Sequence, residues 1–495
     1  MTPAYVNSLD FSFFSDTKQQ LNTMITHLSL GSLLTQEHGA IEQYIRDEGH
    51  ELLRRLLQAH LEVRASQENK QDTIVNLEGK HLTHCRNNTK ATLTSLFGDV
   101  NVIRKGYSQR KITSEYPLDG ELNLTKDQFS DGLRLLVAEQ VNHCAYDNVV
   151  KHINQNTGGN IAKRQCLDLV QDMAQDFESY YLKNRYCKPE DTKDLLVLTF
   201  DGKGIVMRPN SLRECTKKKA KKSQKLNSRL SAGEKKDRKR MAQVASVYTV
   251  LPHHRTAESI MKCDESNVHT VRAPARNKRV WASVELDAKQ VIMDGFKEAL
   301  QRDPKQQRQW IVMIDGQPAQ RKMIEKTAKQ LKVNVTIVMD FIHILEYLWK
   351  AAWCFFEKDD KAVEEWIRKY AMKILKGGCS QVAKGLRQSA TKRKLTKRDA
   401  VDTCAKYLLN NKTRLKYDEA LEAGFPIASG IIEGACRHLI NDRLDITGAR
   451  WGLNGAESLL KLRSLKSSGD FEKYWRFHKQ QSKKRLYTIK STEAV

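Results

Sequence analysis

The sequence predicts an α/β protein: a mixed sheet flanked by helices, interrupted by an all-helical insertion and preceded by mainly helical segments. Three observations carry this expectation. Between residues 190 and 345, apolar strand-like runs and helical stretches alternate in the order β, β, β, α, β, α, β. From Phe341 to about Ala423 the pattern is helical throughout and rich in Lys and Arg. The first 185 residues are mostly of helical period, broken by one alternating stretch.

Residues 17–64 carry Ile41, Ile45, Leu52, Leu53, Leu56, Leu57 and Leu61 mostly on one stripe, with Arg54, Arg55 and Glu62 off it. Such a stripe packs on its own domain or on a second subunit. Residues 91–105 alternate around Gly98-Asp99, which predicts a β-hairpin. Helices are predicted over about Lys126–Gln140 and Cys144–Ile153. The turn Asn156-Thr157-Gly158-Gly159-Asn160 follows, and then a helix opening at Ile161. Two short helices, a glycine turn and a helix with polar residues at its start fit a helix-turn-helix, in which Lys163, Arg164 and Gln165 would face bases or phosphates.

The run Leu195–Phe200 predicts a strand ending at Asp201. The stretch Lys217 to Arg240 is the most basic in the chain, with Lys217, Lys218, Lys219, Lys221, Lys222, Lys235, Lys236, Arg238, Lys239 and Arg240. It is predicted as a solvated loop over residues 216–240, overhanging the sheet where a phosphate backbone could lie. Strands follow over Ala242–Leu251 and about Lys278–Leu286, then a helix over about Ala288–Gln301. The strand Trp310–Ile314 ends at Asp315, a helix runs over about Ala319–Leu331, and the strand Val333–Met339 ends at Asp340. A meander of three strands followed by crossover units is the order of the ribonuclease H-like fold. Gly424-Phe425-Pro426 closes the helical insertion, and a helix over about Gly430–Leu444 carries Glu433. Beyond about Lys466 the chain has few apolar residues and reads as a mobile basic tail.

Composition restricts the partner. The chain has 495 residues, with 84 Lys and Arg against 59 Asp and Glu, a formal charge of +25. That surplus favours a polyanion. No run of eighteen apolar residues is present, so a membrane span is not expected, and the N-terminus lacks the basic and apolar regions of a signal peptide. Nucleic acid is the expected partner. Ten cysteines are scattered singly, which reads as reduced cytosolic thiols. His81-Leu82-Thr83-His84-Cys85 lacks a second ligand pair, so zinc is not expected.

Within this basic chain, Asp201, Asp315 and Glu433 hold informative positions. Both aspartates end apolar runs and precede a glycine. Carboxylates gathered at the rim of a sheet make a hard-oxygen site for Mg²⁺. Two such ions, roughly 3.5–4 Å apart, serve phosphoryl transfer on nucleic acid. Taken singly, each Asp-Gly is also an ordinary turn signal. Asp340 competes for the second position, since it too ends a strand and could share a helical face with His343 and Glu346. Spacing alone leaves Asp315 and Asp340 both open.

The chain resembles the bacterial insertion-sequence transposases of the ISKra-four family, relatives of the Mutator-like enzymes. The resemblance rests on Phe200-Asp201-Gly202-Lys203-Gly204, Met241–Thr249, Ile314-Asp315-Gly316, Asp340-Phe341-Ile342-His343 with Glu346–Trp349, Ser429–Arg437, Asp442-Arg443-Leu444 and Ala449-Arg450-Trp451. It covers about residues 195–465, and more loosely Leu96–Val100. It implies a DDE transposase in which Asp201, Asp315 and Glu433 are the catalytic and metal-binding carboxylates. Asp340 and His343 would be an accessory C/D-x-x-H motif near the site. Arg437, one turn after Glu433, and His343 would contact the scissile strand. The implied cofactor is two Mg²⁺ per site, with Mn²⁺ able to substitute. The implied partner is double-stranded DNA, both the element's terminal inverted repeats and the target, held by a homodimer or higher oligomer in the bacterial cytoplasm at the nucleoid. Family members often carry a cysteine-rich zinc ribbon before the Phe-Gly-x-Val hairpin, and here only Cys85 and nearby histidines stand there.

The expected organisation is then residues 1–124, a helical region with a hairpin for dimerisation or DNA binding; 125–185, a helix-turn-helix-like DNA-binding domain; 190–345, the first part of the catalytic core; 346–424, the helical insertion; 425–465, the last core helices with Glu433; and 466–495, the basic tail. Two alternatives belong to other classes: a non-catalytic DNA-binding protein, and a hydrolytic nuclease without strand transfer.

Overall fold

The computed structural model describes residues 11–185, 189–222, 238–261, 274–357, 359–446 and 448–487. The chain forms two units, one of residues up to Asp176 together with those from Glu472, the other Phe177–Phe471.

The first unit opens with helices α1 (Ser15–Leu30) and α2 (His38–Ser66). The helical stretch expected over 17–64 is thus split at Gly31, whose backbone is extended. A two-residue pair, β1 (Ile74–Val75) and β2 (His81–Leu82), precedes an antiparallel sheet of β3 (His84–Ser95), β4 (Gly98–Gln109) and β5 (Ile112–Glu115). The predicted hairpin is present, but Ser95 pairs with Gly98, so the turn is Leu96-Phe97. Ser95 fixes it: its Oγ accepts from Phe97 N at 3.1 Å and donates to Gly98 O at 2.8 Å. Leu57 and Leu61 of the α2 stripe pack on Leu93, Val100 and Val102, so this part of the stripe belongs to the unit's own core.

Beyond α3 (Pro117–Leu122), three helices pack together: α4 (Asp131–Val141), α5 (Tyr146–Asn156) and α6 (Lys163–Ala174). Val137, Val149, Ile153, Leu169 and Met173 are their buried faces. Arg134, 1% exposed, is held between Asp127 and Asp172, the latter at 2.6 Å. A buried guanidinium needs such carboxylates, because an unpaired charge there would be costly.

The second unit begins with the short α7 (Phe177–Tyr180) and is built on a five-stranded mixed sheet. Its strands are β6 (Leu195–Val206), β7 (Lys239–Val250), β8 (Arg276–Ser283), β9 (Trp310–Ile314) and β10 (Thr336–Met339), ordered β10-β9-β6-β7-β8. β6, β7 and β8 form an antiparallel meander, while β9 and β10 run parallel to β6. Every residue from Leu195 to Phe200 and from Trp310 to Ile314 is buried, as parallel strands covered on both faces require. Between strands lie α8 (Glu214–Lys222), α9 (Ala257–Met261), α10 (Ala288–Arg302) and α11 (Pro318–Leu331). Phe296 of α10 stacks on Phe200 with centroids 6.4 Å apart and meets Trp310 at the same distance.

Two expectations are corrected here. The first strand does not end at Asp201; it continues to Val206, pairing Asp201 with Val244 and Val206 with Lys239. Apolar content falls after Phe200, but the ladder to β7 carries the strand on. The basic stretch is not one loop: Lys217, Lys218, Lys219, Lys221 and Lys222 lie on α8, and Lys239 and Arg240 open β7. Lys235 and Lys236 lie outside the described residues.

The insertion is helical as predicted, with α12 (Phe341–Ala352), α13 (Ala362–Leu375), α14 (Cys379–Lys392), α15 (Asp399–Asn411) and α16 (Tyr417–Glu422). The helix expected over Gly430–Leu444 forms in three pieces: α17 (Gly430–Ala435), a wide-turned segment Cys436–Asn441, and α18 (Asp442–Leu444). α19 (Leu453–Ser468) packs against β8. The expected mobile tail is instead α20 (Phe471–Leu486), most of which belongs to the first unit. Tyr474, Trp475, Phe477 and His478 are buried there, apolar anchors that the surrounding Lys and Arg obscure in the sequence. No helix among the described residues is long and apolar enough to cross a membrane.

Candidate active site

Strand register brings three aspartates to one level. Thr199 of β6 pairs with Met313 of β9 at the end of their ladder, and Asp201 and Asp315 each lie two residues further on. Ile314 pairs with Met339 of β10, and Asp340 N donates to Ile314 O at 2.8 Å, which sets Asp340 beside Asp315. Adjacent strands lie about 4.8 Å apart. Three carboxylates therefore stand at the carboxyl ends of the parallel strands or level with them, where open α/β sheets hold their ligands.

Their roles diverge. Asp340 is fully buried and caps α12: Oδ1 accepts from Ile342 N at 2.7 Å, and Oδ2 accepts from Ser429 N at 2.9 Å and from the Ser429 hydroxyl. Both its oxygens are thus committed to joining α12 to the chain just before α17. The face once open to Asp340, His343 and Glu346 reduces to His343 and Glu346, 3.6 Å apart. Asp315 is exposed. Its Oδ1 accepts from Gln317 N at 3.0 Å, and its carbonyl accepts from the Tyr407 hydroxyl at 2.8 Å. Asp201 is partly buried, with Oδ1 bonded to Gly202 N at 2.6 Å and Oδ2 to the Cys436 thiol at 3.0 Å.

Glu433 stands on the first turn of α17. Desolvation, then the negative charge of Asp340, with smaller contributions from Glu346 and Asp201, pushes its carboxyl above the ordinary range; His343 opposes this. Burial and the Asp201 charge likewise push the Cys436 thiol up and keep it protonated. The region concentrates negative charge around Asp201, Asp340 and Glu433, and hard carboxylate oxygens are the donors that suit Mg²⁺. By that chemistry Asp201, Asp315 and Glu433 fit the ion. They are not drawn into a closed cage: among the described residues no group of three or more His, Cys, Asp or Glu is arranged to hold a metal.

Asp315, His343 and Glu346 line a cleft of about 700 Å³, closed on the insertion side by Tyr347 and Tyr407. Arg437 is exposed on the wide-turned segment, 3.8 Å from Asp442. Of the basic residues, Lys218, Lys219, Lys221 and Lys222 are exposed on α8, and Lys217 pairs with Glu214 at 2.8 Å. Arg238 is half-buried just before β7. Lys239 pairs with Asp445 at 3.3 Å. Arg240 is a structural clamp, its guanidinium donating to the carbonyls of Val284, Ser211 and Glu285. In the first unit, Lys163 pairs with Asp147 at 2.7 Å and Arg164 with Asp168 at 3.2 Å. Gln165 Oε1 accepts from Ala162 N at 2.8 Å, so this side chain caps α6. His81 and His84 are exposed and Cys85 half-buried, on β2 and β3.

Sequence reasoning missed Cys436, Ser429, Tyr347 and Tyr407. Cys436 could have been found, since it lies three residues after Glu433 and shares its helical face. Nothing local marks the other three. No protein-family model matches the chain, and no curated protein is significantly similar to it.

Proposed function

We propose that the protein is a DDE-type transposase with a ribonuclease H-like core, which cuts the ends of a DNA element and joins them to target DNA. The sheet supports the core reading: a three-stranded antiparallel meander extended beyond its first strand by β9 and then β10, both parallel to it. The observation that carries the activity is the placement of Asp201 on β6 and of Asp315 just past the end of the neighbouring parallel strand β9, with Glu433 on α17 near enough for Asp340 and, more weakly, Asp201 to raise its carboxyl.

In this reading Asp201, Asp315 and Glu433 hold Mg²⁺, which when bound polarises the scissile phosphate and activates the attacking oxygen. Tyr407 and Gln317 fix the backbone and side chain of Asp315, and Cys436 orients Asp201. Asp340 holds the start of α12 and the approach to α17 in place through Ser429. The chain's +25 charge would draw the DNA backbone in, with the exposed lysines of α8 as contacts. The DNA ends must be held together during joining, so an assembly of two or more copies on DNA belongs to the proposal.

The test is cleavage and joining by purified protein with Mg²⁺ and DNA carrying the sequences that flank its own gene. Asp201→Asn, Asp315→Asn and Glu433→Gln should each abolish both. Wild-type cutting by all three would overturn the assignment, binding without any cutting would favour the non-catalytic reading, and cutting without joined products the hydrolytic one.

A further inference from the structure

The cleft beside Asp315 carries more than a metal site would use. Tyr347 and Tyr407 stack with centroids 4.1 Å apart and planes 22° from parallel, and both line it. Lys350 Nζ stands 5.5 Å from the Tyr347 ring centroid. Arg321, on the first turn of α11, also lines the cleft, and its buried Nε makes no hydrogen bond. The nearest carboxylate, Glu325, is 3.9 Å away and is already bonded to Arg414 at 2.6 Å. The N-terminus of α11 has no side-chain cap, and the Asn410 amide lines the same space.

These features select a ligand class. A simple anion would meet Arg321 and Lys350 but leave the stacked tyrosine rings unused. A purely apolar ligand would leave Arg321 Nε unsatisfied. A planar aromatic group with a phosphate attached uses everything present: rings for stacking, an amide for its polar edge, and cations with a helix N-terminus for its phosphate. The volume of about 700 Å³ admits one nucleotide. A base within a duplex is stacked on both faces and cannot offer one to a protein ring, so the nucleotide must be unpaired.

We propose that this cleft receives one unpaired nucleotide of the bound DNA, its base extending the Tyr347–Tyr407 stack and its phosphate met by Arg321 and Lys350. The proposal rests on the reading of the protein as a DNA-processing enzyme, and it deepens that reading by naming a nucleotide site beside Asp315.

The experiment measures binding of the full chain, in EDTA, to two labelled duplexes identical except for one extrahelical nucleotide. Base–aromatic stacking predicts roughly tenfold tighter binding of the bulged duplex. Tyr347→Ala should erase the preference and Tyr347→Phe should keep it. Lys350→Glu, at a well-exposed position where folding is not at risk, should weaken it. A bulge lacking the base should bind like the paired duplex. Equal affinity for bulged and paired duplexes in the wild type, or a preference that survives Tyr347→Ala, would overturn the inference. The arms separate from the proposed activity: a Tyr347-dependent preference without Mg²⁺-dependent cleavage sustains the cleft and sinks the transposase, while cleavage without the preference does the reverse.

Discussion

The Cys436 thiol donates to Asp201 Oδ2 across 3.0 Å, tying the wide-turned helical segment to the central strand of the sheet. The thiol and a metal ion would compete for the same oxygen. Cys436→Ala should therefore lower the Mg²⁺ concentration needed for half-maximal cleavage by a few-fold. Cys436→Ser, with a stronger donor, should raise it. A Mg²⁺ titration of the three proteins checks the ordering, and identical midpoints would remove Cys436 from the site.

Asp340 and Asp315 are neighbours with different fates. Asp340 is buried and accepts three hydrogen bonds, so Asp340→Asn places an amide donor against the donors of Ser429. The expected cost is about 2–4 kcal/mol, or several degrees in Tm. Asp315 is exposed, and Asp315→Asn should leave Tm within about a degree while abolishing cleavage. Calorimetry alongside the cleavage assay distinguishes the two, and a stable, inactive Asp340→Asn protein would return Asp340 to the ligand set.

Gly316 has φ +96°, and a Cβ there would lie 2.5 Å from both Met339 Cε and the Tyr407 hydroxyl. Gly316→Ala should thus displace Tyr407 from the Asp315 carbonyl at a cost of about 1–3 kcal/mol. The same substitution should disturb the tyrosine stack, so it is expected to weaken binding of the bulged duplex as well as cleavage.

In the first unit, burial alone would raise the Asp176 carboxyl. Hydrogen bonds from His478 at 2.7 Å and Arg485 at 2.6 Å outweigh it and hold the group below its ordinary value of 3.8. A depressed carboxylate contributes stability that is complete above its unfolded pKa and fades as pH falls through its folded one. Asp176→Asn should cost about 2 kcal/mol or more between pH 5 and 8, with the difference shrinking below about pH 4. Denaturant unfolding of the wild type and the variant, followed by circular dichroism across that range, is the measurement.

How far the site could be read from sequence depends on how local each signal was. Leu195–Phe200, interrupted only by Thr199, and Trp310–Ile314 are apolar runs, so their strands, and the Asp that follows each run, were legible. The continuation of β6 beyond Asp201 was not, because pairing with β7 rather than composition sustains it. α20 was missed because Tyr474, Trp475 and Phe477 are diluted by basic neighbours. Tyr407 reaches the Asp315 carbonyl from 92 residues away, and Ser429 reaches Asp340 from 89. No periodicity encodes such meetings; packing makes them. Glu433 was legible as a position, whereas its coupling to Asp340 and Asp201 emerged only with the helices in place.

α20 also sets a schedule for biosynthesis. Its anchors Tyr474 and His478 bond to Met173 and Asp176, which leave the ribosome before any of residues 177–471. At roughly 5–20 residues per second, tens of seconds pass before the partners of Asp176 exist. By the end of that interval the second unit has been synthesised to its last residue while the first still lacks its closing helix. A nascent chain can therefore acquire its carboxylate-bearing sheet before its amino-terminal unit is finished, and premature termination within α20 would release the former without a completed latter.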